Sequence, residues 1–149
     1  VSVGSYNVRL LYKKTAETRE NAICYTVFRN RLSSRLSETL IELPSGLKYS
    51  FSDLEEISSR LSSFFEHLGL KPGDRILVQA EKSPEVVFLY AACLRFGAIF
   101  TPTDPSYKTR ELEYICHDLK PALIVCKPED QQIFMTFCSK SSQTLKPIG

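Results

Sequence analysis

The chain has 149 residues, which suits one domain or one piece of a larger domain. Its 43% hydrophobic and 24% charged residues are typical of a soluble globular protein. The formal net charge of +2 is too small to indicate a nucleic-acid partner, and no apolar run approaches the roughly 18 residues that cross a membrane.

The cysteines indicate the compartment. They lie among apolar neighbours, form no C-x-x-C pair and have no histidine nearby at metal-ligand spacing. This pattern predicts buried, reduced thiols in the cytoplasm or the mitochondrial matrix, with a disulfide or a reactive thiol as the alternative. The five positions are Cys24, Cys93, Cys116, Cys126 and Cys138.

Residues 1–46 form the first of two predicted regions. A basic, helix-like segment covers residues 8–19, although Glu17 and Glu20 are unusual for a mitochondrial presequence. A strand is predicted over residues 22–28. Residues 29–37 are polar, basic and serine-rich, which predicts a solvated loop or insertion, with a docking patch for an acidic partner as the alternative.

The second predicted region, residues 47–149, contains most of the secondary-structure signals. At its border, Pro44 to Gly46 predicts a tight turn between strands at Thr39 to Leu43 and Leu47 to Ser50. Ser52 and Glu55 then predict a capping box that starts a helix. That helix carries one apolar face and ends at Gly69, with His67 in its last turn. The apolar face contains Leu54, Ile57, Leu61, Phe64, Phe65 and Leu68.

A second helix lies at the centre of the chain. It follows a turn at Lys71 to Asp74 and a strand at Arg75 to Ala80. Ser83 is placed to cap it, Pro84 suits its first position, and Gly97 can supply a left-handed end. Its residues are apolar nearly all the way round, which predicts that neighbouring elements cover every side.

The remaining elements repeat the same alternation. A short strand at Ala98 to Thr101 leads to a turn around Thr103 to Pro105, and Thr109 is placed to cap a helix that ends at Pro121. A strand at Ala122 to Cys126 and a helix from Pro128 follow, and residues 139–149 predict a linker or the next strand. The order strand, helix, strand, helix favours an α/β fold with a mostly parallel sheet flanked by helices.

Several motifs resemble those of one family. The segments Tyr49-Ser-Phe-Ser-Asp-Leu54 and Leu94-Arg-Phe-Gly-Ala-Ile-Phe-Thr-Pro-Thr-Asp-Pro-Ser-Tyr107 resemble the first two core motifs of the AMP-forming acyl-CoA synthetase superfamily. Lys71-Pro-Gly-Asp-Arg-Ile76 lies between them, and Glu111-Leu-Glu-Tyr-Ile-Cys-His-Asp118 follows. Val78-Gln-Ala-Glu-Lys-Ser83 and Tyr90-Ala-Ala-Cys-Leu-Arg95 are most similar to the malonyl-CoA synthetase branch.

The resemblance implies a partial N-terminal subdomain of an AMP-forming ligase. Such a ligase uses ATP, Mg²⁺ and coenzyme A to convert a small carboxylic acid through an acyl-adenylate into a thioester. In the superfamily the phosphate loop, the adenine and ribose motifs and the catalytic lysine follow the segment present here. No catalytic, cofactor-binding or metal-binding residue is therefore carried over, and the implied partner of this segment is the remainder of the ligase domain.

The polar residues offer only weak site candidates. Glu81, Lys82 and Ser83 lie just beyond the carboxyl end of a predicted parallel strand, where α/β folds bind their ligands, although surface placement and capping also explain them. Asp104 is expected to form a turn, and Tyr107 to pack in the core or support a neighbouring site. The other candidates are expected to be surface charges or helix-end residues: His67, His117, Glu55, Glu56, Glu111 and Glu113.

Two alternatives to the ligase segment remain. A free-standing, non-catalytic interaction module derived from such an enzyme would also lack a phosphate loop, since Gly69 and Gly73 are not followed by Gly-Lys-Ser/Thr. An unrelated nucleotide-binding domain would carry glycines in the first turn after a strand, whereas the turn after Arg75 to Ala80 contains none.

Overall fold

A computed structural model describes the backbone of residues 2–3, 6–7, 9–12, 29–140 and 146–148, and the side chains of residues 29–137. The strands are β1 (Ser2–Val3), β2 (Tyr6–Asn7), β3 (Arg9–Tyr12), β4 (Thr39–Glu42), β5 (Lys48–Ser50), β6 (Arg75–Val78), β7 (Ile99–Pro102), β8 (Leu123–Cys126) and β9 (Lys146–Ile148). The helices are α1 (Phe51–His67), α2 (Pro84–Phe96), α3 (Thr109–Leu119) and α4 (Gln131–Lys140), with a 3₁₀ turn at Pro128–Asp130.

The main sheet has five strands in the order β7-β6-β8-β3-β9. Strand β6 pairs in parallel with β7 and with β8, while β3 is antiparallel to both β8 and β9. The three parallel strands with flanking helices confirm the predicted α/β class. Short strands β1 and β2 pair with each other, and β4 and β5 form the predicted hairpin.

Both faces of the parallel strands are covered. Leu77 and Ile124 pack on one face against residues of α3 and α4, and Ile76 and Val125 pack on the other against α1 and α2. Because successive side chains of a strand point to opposite faces, every residue of β8 is buried. This explains the unbroken apolar sequence of β8.

The N-terminal region differs from the sequence prediction. Residues 9–12 form strand β3, so the helix predicted over residues 8–19 is wrong there. The segment is a strand because it pairs on one side with β8 and on the other with β9, both from the far end of the chain. Residues 13–19 and the strand predicted at 22–28 lie outside the described residues. Residues 29–32 form a helical turn rather than a solvated loop, because Leu32 is buried against Leu54 and Phe88.

Helix α1 starts two residues earlier than its sequence suggested. The capping box consists of Ser50 and Asp53, and not of Ser52 and Glu55. The Asp53 carboxylate accepts from the Ser50 backbone N–H at 2.7 Å, and the Ser50 hydroxyl accepts from the Asp53 N–H at 3.2 Å. Strand β5 ends at Ser50, so the chain passes directly from strand to helix and leaves Ser52 inside the first turn.

Helix α2 has the predicted bounds, and Gly97 ends it in a left-handed conformation with φ 85°. Ser83 occupies the N-cap position, but its side chain makes no capping hydrogen bond. In this chain the described neighbours leave part of α2 uncovered, since Val87 and Tyr90 are 41% and 46% exposed. These two side chains lie one turn apart on α2, and the Tyr90 ring contacts Phe100 of β7. The expectation that a larger domain covers every side of the helix stays a prediction.

Later elements follow the prediction with small shifts. Thr109 is the first residue of α3 and Lys108 holds the N-cap position, so Thr109 is not the cap. The Glu111 carboxylate accepts there from the Lys108 backbone N–H at 3.2 Å. Within the described parts of the chain, no helix is long and apolar enough to cross a membrane. The division of the chain at residue 46 stays a prediction.

Candidate functional site

Three loops meet at one edge of the parallel sheet. Residues 79–83 follow β6, residues 103–107 follow β7, and Lys127 follows β8. Because β6 lies between β7 and β8 in parallel, these carboxyl ends are neighbours. We call this region the carboxyl edge; it is the edge at which open α/β sheets bind their ligands.

An ion pair connects two of these loops. The Lys127 ammonium lies 3.1 Å from the Glu81 carboxylate, and its hydrogen bond to Glu81 raises the pKa of Lys127. Both side chains are exposed, so solvent screens the pair and it contributes little to stability. Of the predicted cluster Glu81, Lys82 and Ser83, the structure thus gives Glu81 a partner across the sheet and leaves Lys82 at the surface.

Gln79 is a buried polar residue at this edge, and it was not among the candidates predicted from the sequence. It is 2% exposed, and its backbone N–H donates to Val125 O at 2.9 Å. Its side-chain Nε2 donates to Tyr107 O at 3.1 Å and to Asp104 O at 3.4 Å. Gln79 therefore joins β8 to the loop that follows β7. The sequence feature that could have identified Gln79 is its position, since it is a polar residue directly after the apolar residues Ile76 to Val78 of β6.

Two buried oxygen atoms, one at this edge and one in the first turn of α2, lack a hydrogen-bond donor among the described residues. They are Gln79 Oε1 and Glu85 Oε2, and no described residue donates to either. Leaving one buried acceptor unpaired costs about 1 to 3 kcal/mol, and native proteins contain few such atoms. A buried acceptor at a ligand-binding edge is accordingly a candidate for contact with a group outside the described residues.

The loop after β7 has the turn geometry predicted for Asp104. Asp104 Oδ1 accepts from the Ser106 backbone N–H at 2.8 Å. Hydrogen bonds from the Ser106 hydroxyl and backbone lower the pKa of Asp104. Tyr107 is exposed, so its predicted packing in the core is wrong, and its carbonyl rather than its ring makes the contact with Gln79.

The remaining candidates divide into surface and structural residues. His67 and His117 are exposed in the last turns of α1 and α3, and the described residues contain no group of three side chains suited to a metal. Glu55 is not a solvated surface charge as predicted. Its carboxylate lies 2.8 Å from Arg95 and 3.3 Å from Arg29. Glu56, by contrast, pairs only at the surface, with Arg60.

The basic segment at residues 29–37 is largely neutralised within the chain. Arg29 contacts Glu55, and Arg35 lies 2.6 Å from Glu38 while its guanidinium covers the Phe51 ring. The alternative of a docking patch for an acidic partner stays a prediction.

The cysteines that can be described are thiols in the core. Cys93, Cys116 and Cys126 are buried, and none of the three is in a disulfide. Burial raises the pKa of Cys93 to about 12 and, with the nearby Asp130 and Glu129 carboxylates, that of Cys126 to about 12. Thiols in this state are poor nucleophiles, as the sequence predicted. Cys24 and Cys138 lie outside the described side chains.

Comparison with known proteins identifies the protein family of this chain. Residues 16–146 match the family described as AMP-binding enzyme, which spans most of the sequence. The chain belongs to the AMP-binding enzyme family.

Solved structures support this assignment. ATP-bound MatB from Rhodopseudomonas palustris matches 84% of the chain with 30% sequence identity and a TM-score of 0.75, and the chain covers 25% of MatB. VinN in complex with L-aspartate matches 74% of the chain at 20% identity with a TM-score of 0.61, which shows the shared fold alone. The predicted superfamily and its MatB-containing branch are confirmed.

Curated relatives include large peptide synthetases. Bacitracin synthase 3 from Bacillus licheniformis is 24% identical over 152 aligned residues, 95% of the chain. Nonribosomal peptide synthetase sidC from Arthroderma benhamiae is 31% identical over 83 residues, 56% of the chain. The chain spans only 2% of the length of each of these two proteins. It is homologous both to adenylate-forming ligases and to the adenylation domains of peptide synthetases.

Proposed function

We propose that this chain is the N-terminal segment of an ATP-dependent, AMP-forming acid–CoA ligase of the malonyl-CoA synthetase branch. In the reaction, a carboxylate oxygen attacks the α-phosphorus of ATP, which forms an acyl-adenylate and releases pyrophosphate. The coenzyme A thiol then attacks the acyl carbonyl, loses its proton and displaces AMP, which leaves a thioester. Mg²⁺ supplies charge compensation on the phosphates when it is bound.

The observation that carries this proposal is the match to MatB, a malonyl-CoA synthetase, at 30% identity over 84% of the chain. The peptide synthetase with 31% identity aligns over only 56% of the chain, and the one that aligns over 95% is 24% identical. Both classes adenylate an acid, so the difference lies in the acid chosen and in the thiol that receives it. Identity and coverage together favour the coenzyme A ligase.

Within such an enzyme, this chain would serve as a structural support. The described glycines with positive φ, at positions 46, 69, 73 and 97, lie in separate turns and do not form a loop around a phosphate. The described acidic and histidine side chains also form no group of three that could hold Mg²⁺. We therefore assign the binding of ATP and Mg²⁺ to parts of the family domain outside these residues. The chain's own contribution is the parallel sheet and the loop that Gln79 holds at its carboxyl edge.

The test is the reaction of the complete gene product that contains these residues. Purified protein is assayed for exchange of labelled pyrophosphate into ATP with malonate, methylmalonate, acetate and a panel of amino acids, and then for thioester formation with coenzyme A. We expect malonate-dependent exchange and malonyl-CoA. Exchange with amino acids alone would favour an adenylation domain of the peptide-synthetase kind, and a product that ends at residue 149 without exchange would favour the interaction module.

A chimera tests the structural role separately. The chain replaces the quarter of MatB that it matches, and malonate-dependent exchange is measured for the chimera and for the 149-residue chain alone. We expect an active chimera and no exchange by the chain alone. Activity in the isolated chain would contradict the assignment of catalysis to other segments.

A further inference from the structure

Strand β3 separates two strands that run in the same direction. It is antiparallel to β8 on one side and antiparallel to β9 on the other. Two strands that are each antiparallel to a third are parallel to one another, so β8 and β9 are parallel. In the main sheet β7, β6, β8 and β9 therefore share one direction, and β3 runs against them.

The connection from β8 to β9 has the form of a parallel crossover. Helix α4 lies between the two strands in the sequence, and its Phe134 and Phe137 pack with Ile124 on one face of the sheet. Helix α2 connects β6 to β7 on the other face, where Leu89 packs with Ile76. The two connections also run in opposite directions across the sheet, so they have the same hand. The parallel strands of such units are usually neighbours, whereas here β3 lies between them.

The edge of β8 that faces away from β6 requires a partner strand. All four residues of β8 are buried, and β6 pairs with the other edge. Backbone N–H and C=O groups left unpaired in such a buried strand would cost free energy. In the described structure β3 pairs with them. A displacement of β3 therefore requires that a second strand take its place.

Strand β9 is well placed to be that second strand. It is tethered to β8 through α4, so its effective concentration at this edge is high. The registers also coincide, because Leu10 lies opposite Val125 on one side and opposite Ile148 on the other. A shift of β9 by one strand spacing, about 4.8 Å, would bring Ile148 beside Val125 without any sliding along the strand. Pro147 would remain in an outer strand, where proline is tolerated.

The release of β3 would leave the other described strand pairs intact. The described pairings of β3 are those with β8 and β9, and the short strands before it pair with each other. The exchange replaces two ladders by one, which favours the arrangement with β3 in place. It also frees the four residues of β3, which recovers conformational entropy. These opposing terms make the two arrangements of the sheet close in free energy.

We propose that this edge of β8 is a strand-binding site with two alternative occupants from the same chain. Residues 9–12 occupy it in the structure described here, and residues 146–148 occupy it when β3 is released. The second arrangement gives a wholly parallel sheet in the order β7-β6-β8-β9. The N-terminal segment is then an exchangeable strand of the fold. The inference concerns the sheet alone, so it is independent of the acid and the thiol of the proposed ligase.

One native thiol can report both arrangements. Cys126 lies directly opposite residue 9, and opposed residues of antiparallel strands have Cα atoms about 4.5 to 5.5 Å apart, which a disulfide can bridge. With β3 in place, β9 lies two strand spacings from β8, about 9.6 Å, which is too far for a disulfide. Direct pairing of β9 with β8 would bring residue 149, which follows Ile148, beside Cys126.

The experiment measures how Cys126 divides between these two positions. The 149-residue chain with Arg9→Cys and Gly149→Cys is oxidised under native conditions, and peptide mapping by mass spectrometry gives the share of Cys126 bonded to each new cysteine. We expect the bond to position 9 to predominate, because β3 is the resident strand.

Substitutions that weaken β3 should transfer the disulfide to position 149. Leu11→Pro removes a backbone donor from a strand with neighbours on both sides, and Leu11→Gly weakens the strand more mildly. We expect Leu11→Pro to raise the ratio of the 149 bond to the 9 bond about tenfold or more, and Leu11→Gly to raise it less. Ser2→Pro, in a strand outside the main sheet, is the matched control and should leave the ratio unchanged. Cooperative thermal unfolding identifies the variants that remain folded.

Four results would overturn the inference. A predominant bond to position 149 with Leu11 intact would mean that β3 is not the resident strand. A folded Leu11→Gly or Leu11→Pro variant whose Cys126 stays bonded to position 9, or stays reduced, would mean that β8 accepts no second strand. An equal response to Ser2→Pro would mean that the transfer is not specific to β3. Ile148→Pro combined with Leu11→Gly should abolish the transfer, since β9 can then no longer pair. Persistence of the transfer in that variant would mean that residue 149 reaches Cys126 without strand pairing.

Discussion

The Arg95 guanidinium lies 2.8 Å from the Glu55 carboxylate and joins the last turn of α2 to the second turn of α1. The two side chains are only 20% and 18% exposed. Arg95 also donates to the Glu55 backbone carbonyl at 3.3 Å, and Arg29 approaches the same carboxylate from the surface. This contact fixes the position of α1 along α2, in addition to the apolar packing between them.

Loss of this ion pair should destabilise the fold more than loss of an exposed pair. Arg95→Leu leaves a half-buried carboxylate without its main partner, and we expect a loss of about 1 to 3 kcal/mol in the free energy of unfolding. Arg60→Ala removes an ion pair whose side chains are 76% and 60% exposed, and we expect at most about 0.5 kcal/mol. Urea unfolding measures both, and equal losses would contradict a structural role for Arg95.

The core face of α1 is centred on Phe65. Phe65 is 1% exposed and contacts the Phe96 ring edge to face at 5.7 Å, whereas Phe64 is only partly buried at the border of the same cluster. We expect Phe65→Ala to cost about 3 to 5 kcal/mol. Phe64→Ala should cost clearly less in the same urea titration, and the reverse order would show that the helix is rotated.

The capping box of α1 should make stability sensitive to acid. Hydrogen bonds from the Ser50 backbone N–H and hydroxyl lower the pKa of Asp53 below its ordinary value. A carboxyl with a lowered pKa in the folded state contributes stability above its unfolded pKa and loses it as pH falls through the folded value. Asp53→Asn should therefore flatten the loss of stability below about pH 4. Unfolding at pH 3 and pH 6 measures this, with Ser52→Ala as the neutral control.

The buried thiols should make stability sensitive to alkali. The pKa of Cys93 rises from 9.0 to about 12 on burial, so the thiol contributes full stability below about pH 9 and loses it as pH rises toward 12. Each such thiol adds a slope of up to about 1.4 kcal/mol per pH unit in that window. Cys93→Ala should reduce the difference between the unfolding free energies at pH 8 and pH 10. An unchanged difference would contradict the burial of the thiol.

The exposed side of α2 should determine solubility. Val87 and Tyr90 are exposed, and the Tyr90 ring contacts Phe100 at 5.3 Å, which forms an apolar surface. We expect the chain alone to self-associate and the complete domain to remain monomeric. Tyr90→Glu should reduce light scattering by the chain alone, whereas Ser63→Glu on the exposed side of α1 should not.

Local sequence signals predicted some elements to the residue and others only approximately. Pro84 and Gly97 define α2 because proline suits a helix start and glycine adopts the left-handed end with no steric cost. The start of α1 was misplaced because Ser50 and Ser52 both precede an acidic residue by three positions, and only the end of β5 decides between them. Local patterns could not distinguish the two.

Contacts between distant residues could not be predicted from local patterns. Gln79 contacts Tyr107, which lies 28 residues later in the loop after β7. Glu55 contacts Arg95, which lies 40 residues later on α2. Periodicity identifies the face on which a residue lies, but it does not identify the residue that meets it across the fold. The candidate site at the carboxyl edge therefore depended on the structure.

The position of β3 determines when the sheet can be completed during synthesis. Arg9 pairs with Cys126, and Leu10 pairs with Ile148, so both partners of β3 are made more than 110 residues after it. At about 5 to 20 residues per second, the ribosome needs roughly 6 to 23 s to deliver the first partner. During that interval β6, β7 and their helices can already assemble, and β3 joins them only after β8 has been made. Strand β3 is consequently exposed to chaperones and proteases for longer than any other strand of the main sheet.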